Sequence, residues 1–138
     1  MSDLVRMSLS IEKALLDRLE GMAGASGYTN RSEFIRGLIR DRLVQEEWAK
    51  DREAVGTITL VYDHHTRELS RKLTGLQHRH HGAILATTHV HLDDDICVEM
   101  VLVKGRASHI RKVADLLRQQ KGVLHMALSM SSTGQQLT

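Results

Sequence analysis

His89 and His91 stand two residues apart in Thr88-His89-Val90-His91, and Cys97 is the one cysteine of the chain. In an extended strand, side chains at i and i+2 leave the same face, so the two imidazoles point the same way. Leu92-Asp93-Asp94-Asp95 reads as a turn. A hairpin closed there, with Leu92 opposite Ile96, sets His91 opposite Cys97 and His89 opposite Glu99 on one face. Imidazole and thiolate donors on adjacent strands make half a site for a borderline or soft divalent metal. Three donors do not complete a square-planar set. The fourth is expected from Gln77-His78-Arg79-His80-His81, where chemistry alone leaves His78, His80 and His81 open, and it could come from a second copy of the domain. Glu99 reads as a group that orients a histidine rather than a ligand. His64, His65, His109 and His125 read as surface or satisfied histidines, and the aspartate run as a solvated turn.

A second chemistry lies at the N-terminus. Val5-Arg6-Met7-Ser8-Leu9-Ser10 alternates strictly, with Arg6, Ser8 and Ser10 on one face and Val5, Met7 and Leu9 on the other. That is the pattern of a half-buried strand. A two-stranded ribbon fits the major groove, where Arg can bridge guanine O6 and N7. Asn30, Arg31 and Ser32 open a helix whose free N–H groups suit a phosphate.

These side chains need elements to hold them. Ser10 is placed to cap a first helix carrying Ile11, Leu15, Leu16, Leu19 and Met22, which Gly24 and Gly27 end. Asn30 with Glu33 reads as a capping box for a second helix, buried through Phe34, Ile35, Leu38, Ile39 and Leu43. A lone strand cannot satisfy its own ladder, and two short helices bury too little to fold alone. Residues 1–48 are therefore expected to form an obligate dimer with paired strands. The polar residues 46–54 read as the end of the second helix plus a linker, the linker being 49–54. Beyond it come a strand at 57–62, a helix at 63–76, strands at 84–91 and 96–103, a helix at 108–120 and a strand at 124–130. That order, β-α-β-β-α-β over residues 55–131, is ferredoxin-like, so the fold class is α+β. Residues 132–138 are expected to be a disordered tail.

Composition sets the outer bounds. In 138 residues, 26% are charged and 41% hydrophobic, with a formal net charge of +2, as in an ordinary globular protein. No apolar run approaches the roughly 20 residues of a membrane span. A single cysteine and no evident signal peptide fit the cytoplasm.

Both halves together resemble the nickel-responsive regulator NikR family over nearly the whole chain. The likeness rests on Arg6-Met7-Ser8-Leu9-Ser10, on Gly27-Tyr28-Thr29-Asn30-Arg31-Ser32-Glu33, on Gln77-His78-x-His80-His81, and on His89-Val90-His91 with Cys97 and Glu99. It implies two ribbon-helix-helix dimers joined by a core of four ACT-type domains, a homotetramer. It implies square-planar Ni(II), one per subunit, held by His89, His91 and Cys97 of one chain and His78 of another. It also implies a repressor that binds a palindromic operator through Arg6, Ser8 and Ser10, with no membrane partner and no enzymatic activity. Familiar members often carry an acidic residue where this chain has Gly37, associated with a second cation site, so that site is not expected here. The competing readings are an ACT domain sensing an amino acid or a metal other than nickel, an antitoxin, and, least supported, a metalloenzyme.

Overall fold

The computed structural model describes residues 3–138; Met1 and Ser2, within the expected 1–48 domain, lie outside the described residues. The chain divides into two compact units, one of residues up to Leu43 together with Gln136–Thr138, the other Val44–Gln135.

In the first unit residues 3–12 form neither helix nor strand, and Leu4, Val5, Met7 and Leu9 are exposed. The strand expected at 5–10 is thus not formed within one chain. The physical reason is the one the sequence states: a strand exists only where a neighbour takes its N–H and C=O groups. Helix α1 (Lys13–Ala25) begins after Glu12, an N-cap in extended conformation with no side-chain cap bond, so Ser10 is not the cap. Gly24 lies inside α1. Gly27, at φ 78°, makes the left-handed turn that frees the chain from the helix. Tyr28 N then bonds Ala23 O at 2.9 Å.

Helix α2 (Arg31–Ala49) starts where Asn30 Oδ1 accepts from the N–H groups of Ser32 and Glu33, at 2.9 and 3.4 Å. Only that half of the capping box forms. The Glu33 carboxylate turns to Arg36 and Arg40 instead, where two guanidinium groups out-compete one backbone N–H.

α2 runs unbroken past Leu43 to Ala49, so the polar stretch from Glu46 begins as a helix end, as expected, and the helix reaches one residue into 49–54. Trp48 is 2% exposed and its Nε1 donates to Ser131 O at 2.8 Å. Arg111 lies over its ring, 5.5 Å from the centroid. An indole that buries its ring and satisfies its N–H is a strong anchor, which the polar residues around it conceal in the sequence.

The second unit is a four-stranded antiparallel sheet ordered β2-β3-β1-β4, with β1 Glu53–Asp63, β2 Ile84–His91, β3 Ile96–Arg106 and β4 Val123–Ser131. β1 begins earlier than expected because Ala54 packs into the core and Gly56 lets neighbours close in. A Cβ on Gly56 would meet Leu128 Cδ1 at 3.2 Å and Ser129 O at 3.3 Å. Helices α3 (Leu69–Arg79) and α4 (Ala107–Arg118) carry the buried Leu69, Leu73, Ile110, Val113, Ala114 and Leu117. These join Ile58, Leu60, Tyr62, Cys97, Val101 and Val103 in one core. α3 starts at Leu69 rather than 63. Asp63 Oδ1 accepts from His65 N at 2.8 Å and Glu68 adopts φ 61°, so the preceding residues turn rather than coil.

Candidate metal centre and nucleic-acid arm

The metal candidates sit on the β2–β3 hairpin. Its register pairs His91 with Cys97 and His89 with Glu99. The turn holds that register through Asp93, whose Oδ1 accepts from the N–H groups of Asp95 and Ile96, each at 2.8 Å. Those two bonds also pull the Asp93 carboxyl below the usual aspartate value. Leu92 N closes the hairpin onto Ile96 O at 2.9 Å.

Cys97 is buried and a free thiol, while His91 is exposed. His91 Nδ1 lies 3.1 Å from Cys97 Sγ. His64, just after β1, brings its Nδ1 to 3.5 Å from the same sulfur. Among the described residues, His64, His91 and Cys97 form a group whose ligand atoms all lie within 4.8 Å of one another. His89 stacks edge-on to His91 at 4.9 Å between centroids, and its Nδ1 meets Tyr62 Oη at 3.0 Å. With the proton on Nδ1, that ring donates to the phenol and keeps the Nε2 lone pair free. Burial raises the Tyr62 phenol above its ordinary value, which keeps it neutral. Burial likewise raises the Cys97 thiol, so a metal ion would have to displace its proton.

Glu99 is buried and accepts from Gln77 Nε2 at 2.9 Å; Gln77 Oε1 in turn accepts from Thr87 Oγ1 at 3.2 Å. Glu99 therefore holds the end of α3 to the hairpin, and Tyr62 is the group that touches a histidine. His78, also on α3, is exposed and lies 6.1 Å from the His81 ring, apart from the thiol cluster of its own chain. His80 faces His109 at 5.3 Å.

Two residues escaped the sequence reading. Tyr62 could have been found by laying β1 beside β3, where it pairs with Cys97. His64 carried no such signal, because a turn after β1 decides where it points.

In the arm, Arg6, Ser8 and Ser10 are exposed, as are Asn30, Arg31 and Ser32. Asn30 is spent on its cap, and Arg31 Nη1 bonds Glu20 Oε1 at 3.0 Å.

Residues 55–131 match the family described as the NikR C-terminal nickel binding domain, which covers more than half the chain. The chain belongs to the nickel-responsive regulator family. Residues 5–46 match the ribbon-helix-helix proteins of the copG family, so the arm that forms no strand here belongs to a DNA-binding fold. A protein of Solibacter usitatus named as a nickel-responsive regulator is 51% identical over 99% of both chains. Relatives so named in Geobacter sulfurreducens and Pyrococcus furiosus are 48% and 47% identical, the first over 99% of both chains, the second over 97% of this one and 98% of its own. An uncharacterized protein of Thermotoga maritima, 16% identical, covers 57% of this chain and 98% of its own with a TM-score of 0.52, a likeness of fold alone. The nickel-responsive regulator family is one of transcription regulators rather than enzymes. None of the helices among the described residues is long and apolar enough to cross a membrane.

Proposed function

We propose that this chain is a nickel-responsive transcriptional repressor working in the cytoplasm as a homotetramer on a palindromic operator, with one Ni(II) per subunit. The observation that carries the metal half is the buried Cys97 thiol 3.1 Å from His91 Nδ1, with His89 on the same strand face. Two imidazoles and a thiolate are a donor set that fits nickel, and the residues present therefore suit the ion the family binds. His89, His91 and Cys97 of one chain would hold it with His78 of another. When bound, nickel would supply a link between chains. Tyr62 holds the His89 ring through Nδ1, Glu99 and Gln77 tie the α3 end to the hairpin, and Cys97 is buried.

The arm supports the DNA half. Arg6, Ser8 and Ser10 would become the outward face of a ribbon once two chains pair. Asn30, Arg31 and Ser32 would lie at the phosphate end of α2. Linkage then couples the sites: if nickel tightens operator binding, operator tightens nickel binding by the same factor.

One observation favours a second closure of the site, in which His64 of the same chain takes the place of His78. The two are separable. DNA selected from a random library in the presence of nickel is titrated with the wild type and the Cys97→Ser, His78→Ala and His64→Ala variants, while the thiolate-to-nickel charge-transfer band is followed. Cys97→Ser should lose the band and the nickel response together. A response that survives in Cys97→Ser sinks the assignment. Loss in His64→Ala but not in His78→Ala selects closure within one chain.

A further inference from the structure

We propose that the junction between the end of α3 and the first turn of α4 is a binding site for a phosphate-type oxyanion, built from Arg79, His80, His109 and Lys112. All four residues lie within the unit Val44–Gln135, and none has a place in the proposed metal centre or in the arm. The His80 and His109 rings stand 5.3 Å apart, tilted by 53°, and both residues are half-buried. Their backbones are fixed. His80 N bonds Gln77 O at 3.1 Å, Ala83 N bonds His80 O at 2.9 Å, and Lys104 N bonds Ala83 O at 2.7 Å, so the turn after α3 is fastened to β3. α4 begins at Ala107, and Ser108 N bonds Asp51 Oδ1 at 2.7 Å. His109 thus follows a capped helix end, and Lys112, three residues on, shares its face. Arg79 and Lys112 are exposed.

The groups that converge there lack a negative partner. His109, Lys112 and Arg79 are the ionisable neighbours that act on His80, with no carboxylate among them. Residues 69–92 and 100–114, which hold α3 and the start of α4, contain no Asp or Glu. The carboxylates closest in the chain to α4 are engaged elsewhere: Asp51 caps the helix, Glu53 meets Lys104 at 3.7 Å and Asp115 meets Arg118 at 2.8 Å. Among the described residues Arg79 and Lys112 form no ion pair. A guanidinium and an ammonium offer donors and no acceptor, and each neutral imidazole adds one N–H. A divalent cation would meet like charge here. An oxyanion takes charge-assisted hydrogen bonds from Arg79 and Lys112 and N–H bonds from the rings, with no change of protonation required. Held there, it would also tie the end of α3 to α4. That consequence bears on His78 only through the repressor reading; the site itself does not rest on it.

The test uses the full-length protein and needs neither nickel nor DNA, so it can fail while the repressor reading stands. Inorganic phosphate, pyrophosphate and ATP are each titrated at constant ionic strength, with chloride as the balancing anion, and backbone amide shifts are followed by NMR. Saturable shifts confined to residues 79–83 and 106–112 are expected. Arg79→Gln and Lys112→Gln should each weaken pyrophosphate about tenfold, and His109→Phe, which keeps a ring but no N–H, should weaken it as well. Arg71→Gln removes the same charge from α3 about 12 Å away along the helix, more than the roughly 10 Å screening length at ordinary salt, and should change nothing. ATP no better than pyrophosphate points to free phosphates, and tighter ATP to a nucleotide; both uphold the oxyanion. No localised shift with any of the three anions at millimolar concentration overturns the site. An equal loss in Arg71→Gln overturns it too, since that reports general attraction to a basic surface.

Discussion

The β2–β3 hairpin and the N-terminal arm are both short stretches that alternate polar and apolar residues, yet only one is a strand in this chain. The hairpin has β1 and a capped aspartate turn to pair with, so its register and its donors are set by the chain that carries them. The arm has no such neighbour, and Leu4, Val5, Met7 and Leu9 stay exposed, Val5 at 86%. Alternation is therefore only permission to form a strand; the ladder partner decides. On the proposed reading, His89, His91 and Cys97 are set by one chain, whereas the strand face that would read DNA waits for a second.

The sharpest way to break this contrast is to poison the arm alone. In Met7→Asp with Leu9→Asp, DNA affinity at saturating nickel should fall more than 100-fold, because each paired strand would bury two carboxylates. The nickel charge-transfer band should persist. A band lost along with DNA binding would mean that the metal half also depends on the arm.

The next effect concerns the hairpin. The Cys97 thiol is raised by burial, and on the proposed assignment nickel takes the thiolate, so one proton would leave as each ion enters. Below the thiol's titration, nickel affinity should therefore climb about tenfold per pH unit between roughly pH 7 and 8.5, measured with a competing chelator. A flat profile there would place the sulfur outside the donor set.

Tyr62→Phe probes support for the proposed ligand His89 rather than a ligand itself. Removing the phenol from His89 Nδ1 should weaken nickel about tenfold, the low end for groups that orient a metal-bound histidine, with DNA binding at saturating nickel intact. The smallest effect is local to the arm. Asn30→Ala strips two backbone N–H groups of their acceptor and should cost about 1 kcal/mol in chemical denaturation, leaving the nickel spectrum untouched.

How legible all this was depended on the range of the interaction. The order of elements in the second unit and the pairing of His91 with Cys97 followed from period and turn chemistry, which are local. The start of α3 did not, because the Asp63 turn and the positive φ of Glu68 lie between helix-like residues. Glu99 looked like a partner for a histidine because they are cross-strand neighbours, but Gln77 reaches it from a helix far away in sequence. Tyr62 and His64 were hidden for the same reason: their relation to the thiol runs through β1. Trp48 was hidden by its polar company, at what read as the end of a helix.

That same tryptophan is the only one in the chain. Its indole is enclosed, bonded to a strand carbonyl and topped by a guanidinium. Emission excited at the red edge, where Tyr28 and Tyr62 do not absorb, is therefore a single-site optical signal. Its colour should follow solvent entry at the end of α2, and its intensity should follow the distance to Arg111, so the molecule carries its own gauge of that helix end with no dye attached.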